Sequence, residues 1–291
     1  MRKGHTTLIW TMVALLVPAL AVAGCGKSKK KSTAASTLDV TVSESGKSAK
    51  YSVPSSVKGG LVRVTVANHG KAPHAAQLVR LEGNHTVQDA LKIINSQSNN
   101  TKVPNWIHGE GGVGAAPPGA PVSATVVLPA GKYFVADLGG PGSSGPPGYA
   151  EFTVTSGPSG SLPSTPTTIT AANPSKDKYK WEVSGSLKSG ASDLTFVSKG
   201  KNTIHFIGAF RLNGNASKEQ VIKALKSNGK PPSFVDTSSF ANTAVLDSGK
   251  SDVTPFRFSK PGKYVLFCPL SDRDGRKPHF EEGLLTTVDV K

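Results

Sequence analysis

The sequence predicts an all-β protein built as two tandem sandwiches, and three observations carry that expectation. The chain has 291 residues, enough for two ordinary domains with cores of their own. Gly (31) and Pro (21) punctuate short runs rich in Val, Thr and Ser, the pattern of strands and turns. A set of paired signals then recurs at one constant spacing along the chain, so one unit is present twice.

The N-terminus comes first in the chain. Arg2-Lys3 precede an apolar run from Leu8 to Val22, and Val22-Ala23-Gly24-Cys25 follows. A charged start, a short apolar core and small residues before a cleavage point mark a secretory signal rather than a spanning helix. Small residues ending in cysteine resemble the bacterial lipoprotein signal. That resemblance implies that residues 1–24 are removed and that Cys25 is diacylated, anchoring the protein to the extracytoplasmic face of a bacterial membrane. Loss of Arg2 and Lys3 takes the formal net charge from +15 to +13. Residues 25–37, including Lys27 and Lys29–Lys31, lack apolar periodicity and read as a flexible basic tether beside anionic headgroups.

The first unit is expected over residues 38–155. Strand-like runs stand at Leu38–Val42, Tyr51–Val53, Leu61–Ala67 and Ala75–Leu81. Thr86 caps a helical stretch reaching about Ile94, with Asp89 at the capping-box position. Asn95 to Pro121 is rich in Gly, Pro and Asn and reads as a long loop. Val122–Leu128, a turn at Pro129-Ala130-Gly131, Lys132–Leu138 and Glu151–Thr155 complete the unit. Residues 156–168 form a Ser/Pro/Gly/Thr linker, and residues 169–291 the second unit, expected to fold when expressed by itself.

The repeat is gapless through helix and turn signals. Ile204-His205-Phe206 answers Pro73-His74-Ala75, Gly214-Asn215 answers Gly83-Asn84, and Ser217-x-x-Gln220 answers Thr86-x-x-Asp89. Pro261-Gly262-Lys263-Tyr264 answers Ala130-Gly131-Lys132-Tyr133 in the same register. Each copy holds about seven strand candidates and one short helix, which suits a β-sandwich.

The chemistry concentrates between Tyr264 and Leu284. An apolar strand ends at Cys268, a polar loop follows, and His279 returns with Gly283-Leu284 close behind. Cys268 is the only cysteine besides Cys25, so it has no disulfide partner and is buried, reactive or metal-bound. Thiolate and imidazole together select copper or zinc.

The order strand-Cys-loop-His-x4-Leu resembles the copper-binding corner of the cupredoxins. The resemblance implies two tandem cupredoxin-like Greek-key sandwiches, each with one short inserted helix. It also implies one copper in the second, held by His205, Cys268 and His279. Leu284 falls at the axial position and cannot ligate. Met1 and Met12 both lie in the leader, so the mature chain has no methionine to take that place. In the first unit Asp137 stands where Cys268 would be, and no histidine follows in residues 139–149, so that copy lacks a site. His74 is expected to be hydrogen-bonded in a loop, and His69, His85 and His108 to lie at the surface.

Several function classes are set aside. The basic charge comes without a recognition motif or basic helix, so nucleic acid is not an expected partner. No Gly-x-Ser-x-Gly elbow, zincin helix or phosphate loop is present. Copper oxidases and nitrite reductases place His beside the blue-copper Cys, whereas Phe267 and Pro269 flank Cys268, and no His-x-His pair occurs. The expectation is therefore no enzyme. It is a membrane-tethered single-electron carrier or copper-handling protein, working with a redox partner protein that the sequence does not name. The alternative is a metal-free cell-surface binding module in which Cys268 is a small buried hydrophobe and both sites are relics.

Overall fold

Alternation of apolar and polar residues builds the strands, and β1 (Ser36–Ser45) shows it plainly. Leu38, Val40 and Val42 are buried while Asp39 and Thr41 between them are exposed, the period-two pattern of a half-buried strand. The computed structural model describes residues 34–45, 48–96, 102–138, 148–175, 178–227 and 229–291. Cys25 and the leader lie outside the described residues.

After β1 the first half continues with β2 (Ser48–Ser52), β3 (Ser56–Lys58), β4 (Gly60–Asn68), β5 (His74–Leu81), α1 (Val87–Asn95), β6 (Ile107–Ala116), β7 (Val122–Leu128), β8 (Gly131–Ala136) and β9 (Tyr149–Thr155). The second half holds β10 (Thr168–Ser175), β11 (Lys178–Ser184), β12 (Gly190–Ser198), β13 (Ile204–His205), β14 (Gly208–Leu212) and α2 (Lys218–Leu225). It ends with β15 (Val235–Asn242), β16 (Leu246–Asp247), β17 (Ser251–Phe258), β18 (Gly262–Phe267) and β19 (Leu285–Val290).

Each half is a sandwich with a helix on its outside. In the first, β7-β4-β1-β2 faces β6-β5-β8-β9-β3, and Leu38, Val64, Leu78 and Val135 fill the space between. The other face of β5 and β8 takes α1, through Val79, Phe134, Ala90 and Leu91. In the second half β11-β10-β12-β17 faces β15-β14-β18-β19 over Phe196, Ala209, Leu266 and Cys268, and Phe210 and Val265 receive Val221 of α2. Both helices start from complete capping boxes, Thr86 with Asp89 and Ser217 with Gln220. In both halves a tyrosine hydroxyl donates to the carbonyl four residues upstream, Tyr133 to Pro129 and Tyr264 to Lys260.

The sheets run across the division between the halves. β17 pairs with β7, joining two four-stranded sheets into one of eight strands, and β16 pairs with β6. Residues Thr33–Lys291 accordingly form one compact unit. β6 corrects the sequence expectation of a loop over Asn95 to Pro121. Its glycines read as loop residues, but they are there because the second half lies directly against this strand. A Cβ on Gly114 would stand 2.0 Å from the Asn242 carbonyl oxygen, and one on Gly111, at φ +79°, 2.7 Å from Asp252 Oδ2. Glycine in a strand marks such close backbone approach.

Polar groups close the same seam. Gln77 accepts from the Val245 N–H (2.5 Å) and donates to its carbonyl (3.0 Å). Glu110, fully buried, takes Arg80 at 2.9 Å and Lys250 at 2.7 Å. Asp252 lies beside Gly111 with no water contact, and burial pushes its carboxyl well above the usual range.

Candidate metal centre

His205 sits where the chain changes sheets. β13 pairs with β16 through Ile204↔Asp247 and His205↔Leu246, and three residues later β14 pairs with β18 in a different sheet. The crossing turns the imidazole into the interior. Cys268 follows the last residue of β18, and its N–H donates to the Leu284 carbonyl at 3.1 Å. The chain returns so that the Phe280 N–H reaches the Cys268 carbonyl (2.9 Å) and the His279 N–H the Leu270 carbonyl (2.8 Å). The His279 carbonyl then accepts from Leu284 (2.8 Å), closing a tight turn through Gly283 at φ +124°. A side chain at Gly283 is excluded, since its Cβ would lie 1.9 Å from the Tyr179 oxygen.

The structure brings His205, Cys268 and His279 together. One ligand atom from each lies within 4.8 Å of the others, and all three residues are 0 % exposed. The two Nδ1 atoms are 3.1 Å apart, and the Cys268 Sγ is 3.6 Å from His279 Nδ1. Both Nε2 atoms are taken. His205 Nε2 faces the Lys199 carbonyl (3.2 Å) and Thr203 Oγ1 (2.8 Å); a carbonyl only accepts, so Nε2 carries the proton. His279 Nε2 faces Asp272 Oδ1 at 3.2 Å, and that oxygen also accepts the Tyr179 hydroxyl at 2.6 Å. Outer partners of this kind fix ring orientation and leave the inner nitrogen free to ligate. The Tyr179 ring covers both imidazoles, with centroids 4.4 Å from His279 and 5.4 Å from His205.

Charge follows from the same contacts. Burial pushes the Cys268 thiol up, but the imidazoles of His205 and His279 beside it outweigh burial and bring the group down to about 6. Burial alone would lower His279, whereas Asp272 and Cys268 raise it to about 9. Each partner thus favours the charged form of the other, a thiolate beside an imidazolium.

Two imidazole nitrogens and a thiolate, buried and pre-oriented, fit one copper ion, for which His₂Cys is a recurrent donor set. Leu284 is fully buried in the same core cluster as Cys268, Leu266 and Ile207 and brings no donor atom. A structural zinc site would call for a fourth ligand. Among the described residues this is the only such cluster of three.

The corresponding place in the first half is filled differently. His74 Nδ1 lies 2.9 Å from Asp137 and its Nε2 3.1 Å from Glu44, so both ring nitrogens are occupied by carboxylates. Glu44 also accepts from the Lys71 and Ala72 N–H groups, which hold its carboxyl below the usual range. His69 and His85 are exposed, His85 stacking on Trp106 at 3.8 Å. His108 corrects the surface expectation. Its Nδ1 is 2.8 Å from Asp247 in the seam, because β6 runs against the second half. The sequence reading also missed Asp272, Tyr179 and Thr203, since no motif spacing ties a second-layer acceptor to its ligand.

Fold and centre together define an all-β protein of cupredoxin-like architecture with one His–Cys–His site. Among solved structures the chain is similar to a multicopper oxidase, at 13 % identity over 88 % of each chain, with a TM-score of 0.24. It is similar to auracyanin B at 24 % identity over 45 % of this chain and 93 % of that one, TM-score 0.29. A Cu-containing nitrite reductase from Thermus scotoductus SA-01 aligns at 13 % identity over 88 % of this chain and 61 % of its own, TM-score 0.24. No protein-family profile matches the chain. No curated protein matches it either. The expectation of no enzyme is corrected here. Solved structures that align along most of the chain are named as oxidases and a reductase.

Proposed function

We propose that the protein binds one copper ion through His205, Cys268 and His279 and uses it for single-electron transfer, while Cys25 tethers it to the outer face of a bacterial membrane. The observation that supports copper most is the convergence of three buried donors within 4.8 Å, each imidazole held from behind. A copper ion there supplies a one-electron Cu(II)/Cu(I) couple. The protein's part is to exclude water and to hold the donors still through the change of charge. Thr203 and the Lys199 carbonyl fix His205, Asp272 and Tyr179 fix His279, and the backbone of Leu284 and Phe280 pins Cys268. Full burial of all three favours an ion that stays over one that is handed on, since delivery needs a donor set that opens.

The experiment is Cu(II) titration of the chain from Gly26 onward, which lacks both the leader and Cys25. One equivalent is expected to bring an intense sulfur-to-copper absorption. Cys268→Ser abolishes it, and His74→Ala leaves it intact because Asp137 cannot supply a thiolate. No such band in the wild-type protein overturns the copper reading and favours a metal-free surface module. The tether rests on the Val22-Ala23-Gly24-Cys25 sequence. Cys25→Ser is expected to stop lipid labelling and release the protein, and membrane retention with no lipid on residue 25 counts against it.

A further inference from the structure

Cys268 and His279 are separated by a loop, residues 269–278, that forms no strand or helix. A loop of that length does not by itself hold an imidazole in one orientation. Within it Asp272 is the residue that meets His279 Nε2, so the place of Asp272 decides where His279 Nδ1 points. The next residue, Arg273, turns away from the site and is only 6 % exposed.

Its guanidinium enters a socket built largely by the first half. Nη1 donates to the carbonyls of Pro104 (2.9 Å) and Val103 (3.4 Å), and Nη2 to that of Ile107 (2.8 Å) and to Asp247 Oδ1 (2.6 Å). The backbone joins in, because the Val103 N–H donates to the Arg273 carbonyl at 2.9 Å. Asp247 is itself held by the Gly109 N–H (2.9 Å) and His108 Nδ1 (2.8 Å), both from β6. Donors in a planar fork match this arrangement, and a lysine's single ammonium does not.

We propose that Arg273 is a positioning residue for the metal centre. By docking the Asp272–Arg273 step into the first sandwich it holds Asp272 against His279 Nε2, and so aims His279 Nδ1 at Cys268 and His205. The half that carries no ligands then has a definite role: it is the wall against which the ligand loop is set. This rests on the copper reading above, and the test separates the two.

The test compares wild type, Arg273→Gln and Arg273→Lys, each in the chain from Gly26 onward. In metal-free protein, nitrogen NMR of the His279 ring and hydrogen exchange of residues 269–283 are recorded. With Cu(II), affinity, the thiolate band and the reduction potential are measured. Arg273→Gln is expected to speed exchange in the loop at least tenfold and to change the His279 ring signals. Copper affinity should fall about 10- to 100-fold, the range for lost outer partners of a ligand. Arg273→Lys, which keeps the charge beside Asp247, recovers part of each effect. Wild-type exchange, ring signals and affinity in Arg273→Gln overturn the proposal. So does an exchange increase spread evenly over both sandwiches, which would make Arg273 a general fold residue. If Arg273→Gln does not fold, the lysine variant decides by the same readouts. A wild type without a copper band sinks the copper reading alone, since the metal-free measurements still judge the positioning.

Discussion

In the metal-free protein the Cys268–His279 pair should leave stability almost independent of pH between 6.5 and 9, although each partner is strongly shifted. Cys268 falls from 9.0 to about 6 on folding, and His279 rises from 6.5 to about 9. The thiolate alone would contribute stability that is full above pH 9 and lost as pH falls through 6, worth about 4 kcal/mol. The imidazolium alone would contribute stability that is full below pH 6.5 and lost as pH rises through 9, worth about 3 kcal/mol. Between 6.5 and 9 the unfolded chain keeps the cysteine proton and the folded chain the histidine proton, so the two slopes cancel. Folding moves a proton from sulfur to nitrogen without taking one from solvent. Cys268→Ser removes the cancellation. Stability of that variant should fall as pH rises across the window, because His279 retains Asp272 as its partner; the fall should be smaller than the imidazolium's full contribution, because Cys268, which also raises His279, is gone. Urea unfolding at several pH values, with a chelator present, measures both proteins, and titrating groups common to both cancel in the difference. The ultraviolet absorbance of the thiolate gives the second readout, with a midpoint near 6 expected. Equal slopes in wild type and Cys268→Ser, or a thiolate midpoint near 9, would refute the reasoning.

Four further outcomes follow from the seam, the core and one exposed turn. Gly114→Ala places a Cβ 2.0 Å from the Asn242 oxygen and should cost about 2 kcal/mol or more in denaturant unfolding. Gly119→Ala, at φ +100° with open space around it, should cost only about 1 kcal/mol. Leu284→Met keeps the volume of a buried side chain and should cost less than about 1.5 kcal/mol. By offering a thioether next to Cys268 it should lower the reduction potential of the copper-loaded protein, and an unchanged potential would mean the sulfur does not reach the ion. Residues 169–291 expressed alone would uncover the edges of β16 and β17 and leave Arg273 with Asp247 as its main partner. Size-exclusion chromatography should show self-association, and a monomer as stable as the full chain would show that the seam adds nothing.

What the sequence discloses and what it conceals divide along a physical line. Strand alternation, capping boxes and the constant spacing of the repeat are local or periodic, and they place β4, β5, β7 and the starts of both helices closely. The donor triad is legible because Cys268 and His279 sit on one strand-loop corner and the repeat points to His205. β6 is hidden because its glycines serve a neighbour in the other half of the chain, and a turn signal looks the same as a close approach. Asp272 and Arg273 are hidden for a related reason. In the sequence they are two charges in a polar loop, and only the fold brings a carboxylate to Nε2 and a guanidinium to three carbonyls.

The two copies of the corner also show what separates a metal-ready site from a closed one. In the register of the repeat Asp137 replaces Cys268, and His74 corresponds to His205. In the first half His74 has a carboxylate on each ring nitrogen, so both nitrogens are already taken. In the second half the outer nitrogens are satisfied by Thr203, the Lys199 carbonyl and Asp272, while both inner nitrogens meet only each other and a sulfur. On that inner face Cys268 and His279 each favour the other's charged form, which puts a proton on His279 beside the thiolate. The proton occupies the place that suits an ion, and an ion entering there would displace it. A tenfold drop in proton concentration should therefore strengthen Cu(II) binding up to about tenfold below pH 9, while His279 still carries the proton that must leave. Affinity measured in non-coordinating buffers from about pH 6.5 to 8.5 reads this directly, and an affinity independent of pH across that range would show that binding releases no net proton from the pair.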